Sequence, residues 1–272
     1  MDSTRPQPSA DTPPKPVHAA TIMLLRDDRG PLEVFMVQRH HQIDFATGAL
    51  VFPGGKTDPS DRNPALRGHC GNAAALEDDQ LALRVCAVRE TFEECGVLVA
   101  RGKGEQALLS ESRVRPLEEK YRDDLVAGRT GMLDVALAHQ LELATDALVP
   151  FAHWVTPEFM PKRFDTYFYL VTAPTDQVAA HDGSESVDSV WIRPADAVAD
   201  GRAGRRTVIF PTMANLLKLA RSATVAQALE RARTEPLVTV RPSVHRTDAG
   251  KVLRIPPEAG YELNEIPMAE GR

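Results

Sequence analysis

Arg89-Glu90-Thr91-Phe92-Glu93-Glu94-Cys95-Gly96-Val97, downstream of Phe52-Pro53-Gly54-Gly55-Lys56, is the stretch on which the reading of this 272-residue chain turns. On a helix Glu90, Glu93 and Glu94 stand at i, i+3 and i+4, so their carboxylates crowd one face. Like charges so placed cost stability unless a cation neutralises them. The run therefore reads first as a magnesium site and second as a solvated helix face. Gly96 stands where such a helix should stop.

Working outward, the spacing predicts a helix over residues 77–95, with Asp78 and Asp79 favourable near its start. Leu81, Val85, Val88, Phe92 and Cys95 form its apolar stripe, roughly opposite the glutamates. Upstream, 18–26 and 32–39 read as strands joined by a turn. A third strand, 48–52, ends at Pro53-Gly54-Gly55, whose glycines let the backbone turn sharply and approach a ligand. Residues 58–72 have the composition of an inserted loop. Downstream, 107–127 and 132–143 read as helices. Strands follow at 151–156 and 164–172, the second apolar on both faces and so central. A polar loop leads to a strand at 189–193, and Pro194 opens a short helix. Residues 211–221 and 224–233 read as paired helices, and 237–240 with 252–255 as a small terminal hairpin.

Composition sets outer bounds. With 43% hydrophobic and 26% charged residues, the chain is of the soluble globular kind. No apolar run approaches the roughly 20 residues of a membrane span, and a formal charge of −6 gives no reason to expect nucleic-acid binding. Three irregularly spaced cysteines argue against a disulfide framework and for a reducing, cytoplasmic setting. Residues 1–17, rich in proline, serine and threonine, read as a disordered tail, and 262–272 as a second tail.

The segment from Arg89 to Val97 resembles the second half of the Nudix box, Arg-Glu-apolar-any-Glu-Glu-any-Gly-apolar, with Thr91 and Val97 in the apolar places. Phe52-Pro53-Gly54-Gly55 resembles its usual upstream part. The common first half, Gly-x5-Glu-x7 before the arginine, would fall on Ala75 and Leu81. An insertion over about 56–76, directly after Gly55, accounts for this and leaves Glu77, Asp78 and Asp79 as substitutes for the first glutamate. A split box is similar to the Nudix branch that contains CoA diphosphatases. Trp154-Val-Thr-Pro157, Arg163-Phe-Asp-Thr166 and Phe210-Pro-Thr212 add to that likeness, which covers approximately residues 18–261.

The resemblance implies an α/β/α sandwich with a mixed, curved sheet, helical insertions over about 107–143 and a C-terminal helical extension from about 201. It implies hydrolysis of a nucleoside diphosphate linked to another moiety, with CoA or acyl-CoA cut to adenosine 3′,5′-bisphosphate and (acyl-)phosphopantetheine. An ADP-ribose or NADH pyrophosphatase, or a nucleotide sensor that does not cleave, are the alternatives. Mg²⁺ or Mn²⁺ would be held by Glu90 and Glu94 with Glu93 beside them, and Arg89 would orient a glutamate. Glu185, in the loop before Trp191, is either a metal ligand or base or an exposed loop carboxylate; His181 is a more distant choice of base. Gly54, Gly55 and Lys56 are expected at the substrate, with Arg163, Arg39 and Lys162 as phosphate contacts or plain surface charges. Phe159, Trp154 and Tyr167 are nucleobase stackers or core. The expected partner is a small nucleotide-diphosphate molecule, with no nucleic acid and no membrane; a homodimer stays open.

Overall fold

The computed structural model describes residues 13–28, 30–39, 48–177, 179, 186–248 and 250–268. The chain opens with strands β1 (Val17–Arg26), β2 (Glu33–Arg39), β3 (Leu50–Val51) and β4 (Gly54–Lys56). Three 3₁₀ turns, Pro59–Arg62, Pro64–His69 and Ala73–Ala75, lead to helix α1 (Asp78–Cys95). Next come β5 (Ala100–Gly102), α2 (Glu111–Val126), α3 (Met132–His139) and β6 (Leu141–Leu143). Strands β7 (Val149–Val155), β8 (Phe164–Thr172) and β9 (Ser186–Ile192) precede α4 (Pro194–Arg202), α5 (Phe210–Leu219) and α6 (Val225–Thr234). The C-terminal strands are β10 (Thr239–Val240), β11 (Ser243–Thr247), β12 (Gly250–Arg254) and β13 (Glu265–Pro267).

Eight strands make one mixed sheet, running β10-β7-β8-β1-β2-β3, with β4 paired to β1 and β9 to β2. β1 and β8 run parallel along nine residue pairs at its centre. Both are apolar on two faces because both faces are covered. Ala20, Ile22 and Leu24 of β1 join Tyr169 and Val171 of β8 in a core shared with α1, α2 and α3. Met23 and Leu25 join Phe168 and Leu170 in a second core under α4, α5 and α6. The result is the helix–sheet–helix sandwich expected from the sequence.

β1 divides its other edge between two partners, and this division positions the site. Its first half pairs with β4 through Ala19–Lys56, Ala20–Gly55 and Thr21–Gly54. Its last two residues pair with β2 through Leu25–Val34 and Arg26–Glu33. The Gly54-Gly55 run, read above as the end of a strand, is thus itself a strand. Its tight fit is the reason: a Cβ on Gly54 would strike the carbonyl oxygen of Ala20 and lie 2.6 Å from Thr21 Cα. Only glycine lets this strand reach β1.

Several other expectations need correcting. Residues 141–143 do not extend α3; they pair with β5. α5 packs chiefly on α4, and α6 chiefly on β7 and β8, although Leu216 and Leu219 of α5 share a core with Val225 and Ala228 of α6. The predicted terminal hairpin does not form. β10 joins the main sheet parallel to β7, while β12 is the middle strand of a separate sheet between β11 and β13. The stretch 262–272, expected to be a tail, supplies β13 in its described part. The C-terminal segment is fastened by Trp154 Nε1, which donates to the Tyr261 hydroxyl at 3.0 Å, and by that hydroxyl donating to Asn215 Oδ1 at 2.8 Å. All three cysteines are buried and free, and among the described residues no helix is long and apolar enough to cross a membrane.

Gly54→Ala is expected to cost more than about 2 kcal/mol, because the obstructing atoms are backbone and cannot turn aside. Urea denaturation should show a lowered midpoint with unchanged slope; a midpoint within error of the parent would refute the close contact.

Candidate active site

α1 starts after Glu77 and ends on Gly96, which adopts φ +70° and returns its N–H to the Phe92 carbonyl. The helix is buried around nearly its whole circumference. Leu81, Val85, Val88, Phe92 and Cys95 enter the core as the stripe predicted, and Thr91, in an apolar place of the pattern, is fully buried with its hydroxyl donating to Ala87 O at 2.8 Å. Glu93 and Glu94 are also buried, at 9% and 8% exposure. A solvated face would leave such residues in water, so that reading of the acidic run is excluded.

The glycine strand shapes what lies against α1. Gly55 has no side chain where the Glu90 carboxylate sits; a Cβ there would come 2.5 Å from Glu90 Oε2. The Gly54 N–H donates to Glu94 Oε2 at 2.9 Å. Arg89 ties the rest together. Its Nη1 lies 2.9 Å from Glu90 Oε1 and 3.1 Å from Glu93 Oε2. Its Nε and Nη2 grip Asp61 Oδ1 and Oδ2 in a fork, each at 2.9 Å, and Nη2 also donates to the Lys56 carbonyl at 2.9 Å. Arg89 is thus paired with two glutamates at once.

Asp61 went unrecognised in the sequence. It is 2% exposed, inside the stretch read as an inserted loop, on a 3₁₀ turn capped by Asp58. The signal was available: Asp61 follows Gly55 with five residues between, the spacing Gly-x5-Glu with aspartate for glutamate. The pattern is interrupted after its first acid rather than directly after Gly55. Glu77, Asp78 and Asp79 are not substitutes for it. Glu77 caps α1 by its backbone conformation, while Asp78 and Asp79 pair with Arg67 and Arg62 at the exposed helix start.

Lys56, Thr57, Asp58, Arg89, Glu90, Glu93, Glu94 and Val126 line a cleft of about 340 Å³. Lys56 stands exposed at its rim. Burial pushes the Glu90 carboxyl up to about 7; Arg89 pulls it down and the Glu93 charge pushes it further up. Burial works against the charged form of Arg89 as well, but the bond to Asp61 and the Glu90 charge overcome it and raise its pKa.

The other sequence candidates are placed as follows. Arg163 is not in the cleft lining; its Nε donates to Thr156 O at 3.1 Å and its Nη1 to Pro14 O at 2.8 Å, so it braces the β7–β8 turn. Lys162 and Phe159 are exposed near that turn. Trp154 is core, and Tyr167 stacks on the His153 ring at 4.0 Å. Glu185, His181 and the side chain of Arg39 lie outside the described residues.

A divalent metal was expected between Glu90 and Glu94. Among the described residues no three His, Cys, Asp or Glu side chains are gathered into a metal cage, since Glu93 turns to Arg89 and Glu94 to the Gly54 N–H. The donor chemistry nevertheless fits magnesium, which takes oxygen ligands, often only one or two carboxylates, and keeps several waters. Buried, closely spaced carboxylates beside a cleft supply that kind of donor.

Comparison with known proteins bears on the family of the chain. The family described as NUDT19 Nudix domain matches residues 66–219, more than half of the chain. The acyl-coenzyme A diphosphatase NUDT19 of Xenopus laevis is 22% identical over 225 residues, 69% of this chain and 59% of that protein. Its human counterpart of the same name is 28% identical over 233 residues, 70% of this chain and 59% of that protein. The chain thus spans somewhat more than half the length of these curated relatives. A NUDIX hydrolase crystal structure from Alicyclobacillus acidocaldarius superposes with a TM-score of 0.62 at 28% identity, covering 82% of this chain and 97% of that one.

Two outcomes follow from the site. Asp61→Ala leaves the Arg89 guanidinium buried without its fork, and the stability loss read by denaturant titration should be about 3–5 kcal/mol; a loss below 1 kcal/mol would deny Asp61 that role. Glu90 has a folded pKa of about 7 against an ordinary 4.5, so its contribution favours folding below the lower value and is lost as pH rises through the higher one. Without added metal, the stability advantage of Glu90→Gln over the parent should grow from pH 5 to pH 8 by up to about 3 kcal/mol. An advantage that does not change with pH would show that no buried charge is being relieved.

Proposed function

Because the chain belongs to the NUDT19 Nudix domain family, we propose that it is a metal-dependent hydrolase of nucleoside diphosphates linked to another moiety, acting on CoA or acyl-CoA. The observation that carries this is the burial of Glu93 and Glu94 beside Glu90 at a cleft walled by the glycine strand. The names of the frog and human relatives favour an acyl-CoA substrate. The products would be adenosine 3′,5′-bisphosphate and (acyl-)phosphopantetheine.

Mg²⁺ or Mn²⁺, held by Glu90 and Glu94, with Glu93 beside them, would when bound neutralise diphosphate charge and lower the pKa of a water ligand. The chain's own residues divide the remaining work. Arg89 ties the glutamates to the 3₁₀ turn that carries Asp61 and to β4. Lys56, exposed at the rim, offers an ammonium to a phosphate oxygen, and the Gly54-Gly55 backbone lets the substrate approach closely. Glu185 is the proposed base for the proton of an attacking water.

The test is a screen of CoA, acyl-CoAs, ADP-ribose, NADH and dinucleoside polyphosphates with Mg²⁺ or Mn²⁺, with products identified by mass. Cleavage of CoA or acyl-CoA to the two named products supports the reading. Cleavage of ADP-ribose or NADH alone would move it to that substrate class. Binding that survives chelation and yields no product would make the chain a sensor.

Glu94→Gln keeps an oxygen to accept the Gly54 N–H but loses the charge. It should lower kcat about a thousandfold, roughly 4 kcal/mol of barrier, with an unchanged circular dichroism spectrum. Retention of near parental kcat at saturating Mg²⁺ in both Glu94→Gln and Glu90→Gln would show that these glutamates are not the ligands.

A further inference from the structure

The last turn of α1 carries Glu93 and Glu94 at the negative end of the helix dipole, where cations are favoured. α1 has no basic residue of its own in that turn. The cation comes instead from α2. Arg122 donates from Nε to the Glu93 carbonyl oxygen at 2.7 Å, meeting one of the four carbonyls that a helix end leaves without an internal partner. Its Nη1 is held by Glu118 Oε1 at 2.5 Å, one turn back on α2. Glu118 in turn closes over Gly96, where a Cβ would stand 2.7 Å from Glu118 Oε1. Nη2 of Arg122 is buried and has no hydrogen-bond partner among the described residues. One turn further along the same face of α2, Val126 lines the cleft.

We propose that Arg122 is a positioning residue for the metal-binding turn, clamping the Glu93 peptide so that Glu93 and Glu94 keep their places against Arg89 and Gly54. It acts through α1 and does not itself touch substrate. The inference rests on the metal-dependent reading of the cleft, and it gives α2 a part in that site. Loss of the clamp frees the turn to fray, and fraying moves the glutamates relative to the glycine strand.

The test pairs kinetics with Mn²⁺ binding followed by water-proton relaxation on the purified 272-residue chain. Arg122→Met should raise the Mn²⁺ half-saturation at least tenfold and lower kcat at least tenfold at fixed sub-saturating metal. KM for the nucleotide, measured at saturating metal, should stay within twofold. Arg122→Lys, which keeps a cation at the helix end, should recover part of the Mn²⁺ affinity. A folded Arg122→Met that is less heat-stable but binds Mn²⁺ like the parent would overturn the inference, leaving only a structural bond. Should Arg122→Met fail to fold, Glu118→Gln and Arg122→Lys carry the test, and parental Mn²⁺ binding in both would equally overturn it. A parent that binds Mn²⁺ but cleaves nothing would sink the hydrolase reading while the relaxation titration still decides the role of Arg122.

Discussion

The site depends on one buried cation. Arg89 is 7% exposed, and a guanidinium taken that far from water is costly unless its donors are filled. Asp61 takes two of them, the Lys56 carbonyl a third, and Glu90 and Glu93 share Nη1. These partners come from three places: a 3₁₀ turn, the glycine strand and the helix itself. None could move far without stranding a charge. The arginine therefore sets the distance between β4 and α1, and with it the width of the cleft.

Electrostatics explain why glycine is needed on the opposite wall. Carboxylates at i, i+3 and i+4 repel, and burial sharpens the repulsion. The fold does not relieve it by exposing them. Gly54 offers a backbone N–H to Glu94, and Gly55 leaves bare backbone for the Glu90 carboxylate to lie on. Even so, Glu90 is left with a carboxyl near neutrality.

What the sequence made legible follows the range of the forces involved. α1 was readable from end to end, because a 3.6-residue apolar period and a left-handed glycine stop are local signals. β8 was placed at the sheet centre because apolar residues on both of its faces leave few other positions. The glycine strand was misread because glycines imply a turn locally, and only the proximity of Ala20 and Thr21 makes them a strand. β5 and β6, three residues each, are too short to show a period, and β10 finds its partner 86 residues away at His153. Arg163, a phosphate contact or a plain surface charge on sequence grounds, donates to the carbonyls of Thr156 and Pro14, the second of them 149 residues away in the chain.

Asp61 shows why a motif can be broken in sequence and intact in space. The interrupting segment, from the 3₁₀ turns to the start of α1, leaves and returns without disturbing the Asp61–Arg89 fork, because the fork fixes only its two ends. Between them chain length is nearly free, since loop closure entropy rises only slowly with length. Leu66 and Cys70, within that segment, bury themselves in the α1-side core and so repay part of that closure cost. The same reasoning applies at the other end of α1, where α2 reaches Glu93 through Arg122. The acidic helix is thus held at both flanks by residues outside the contiguous motif. Its carboxylates are positioned by contacts that sequence distance conceals.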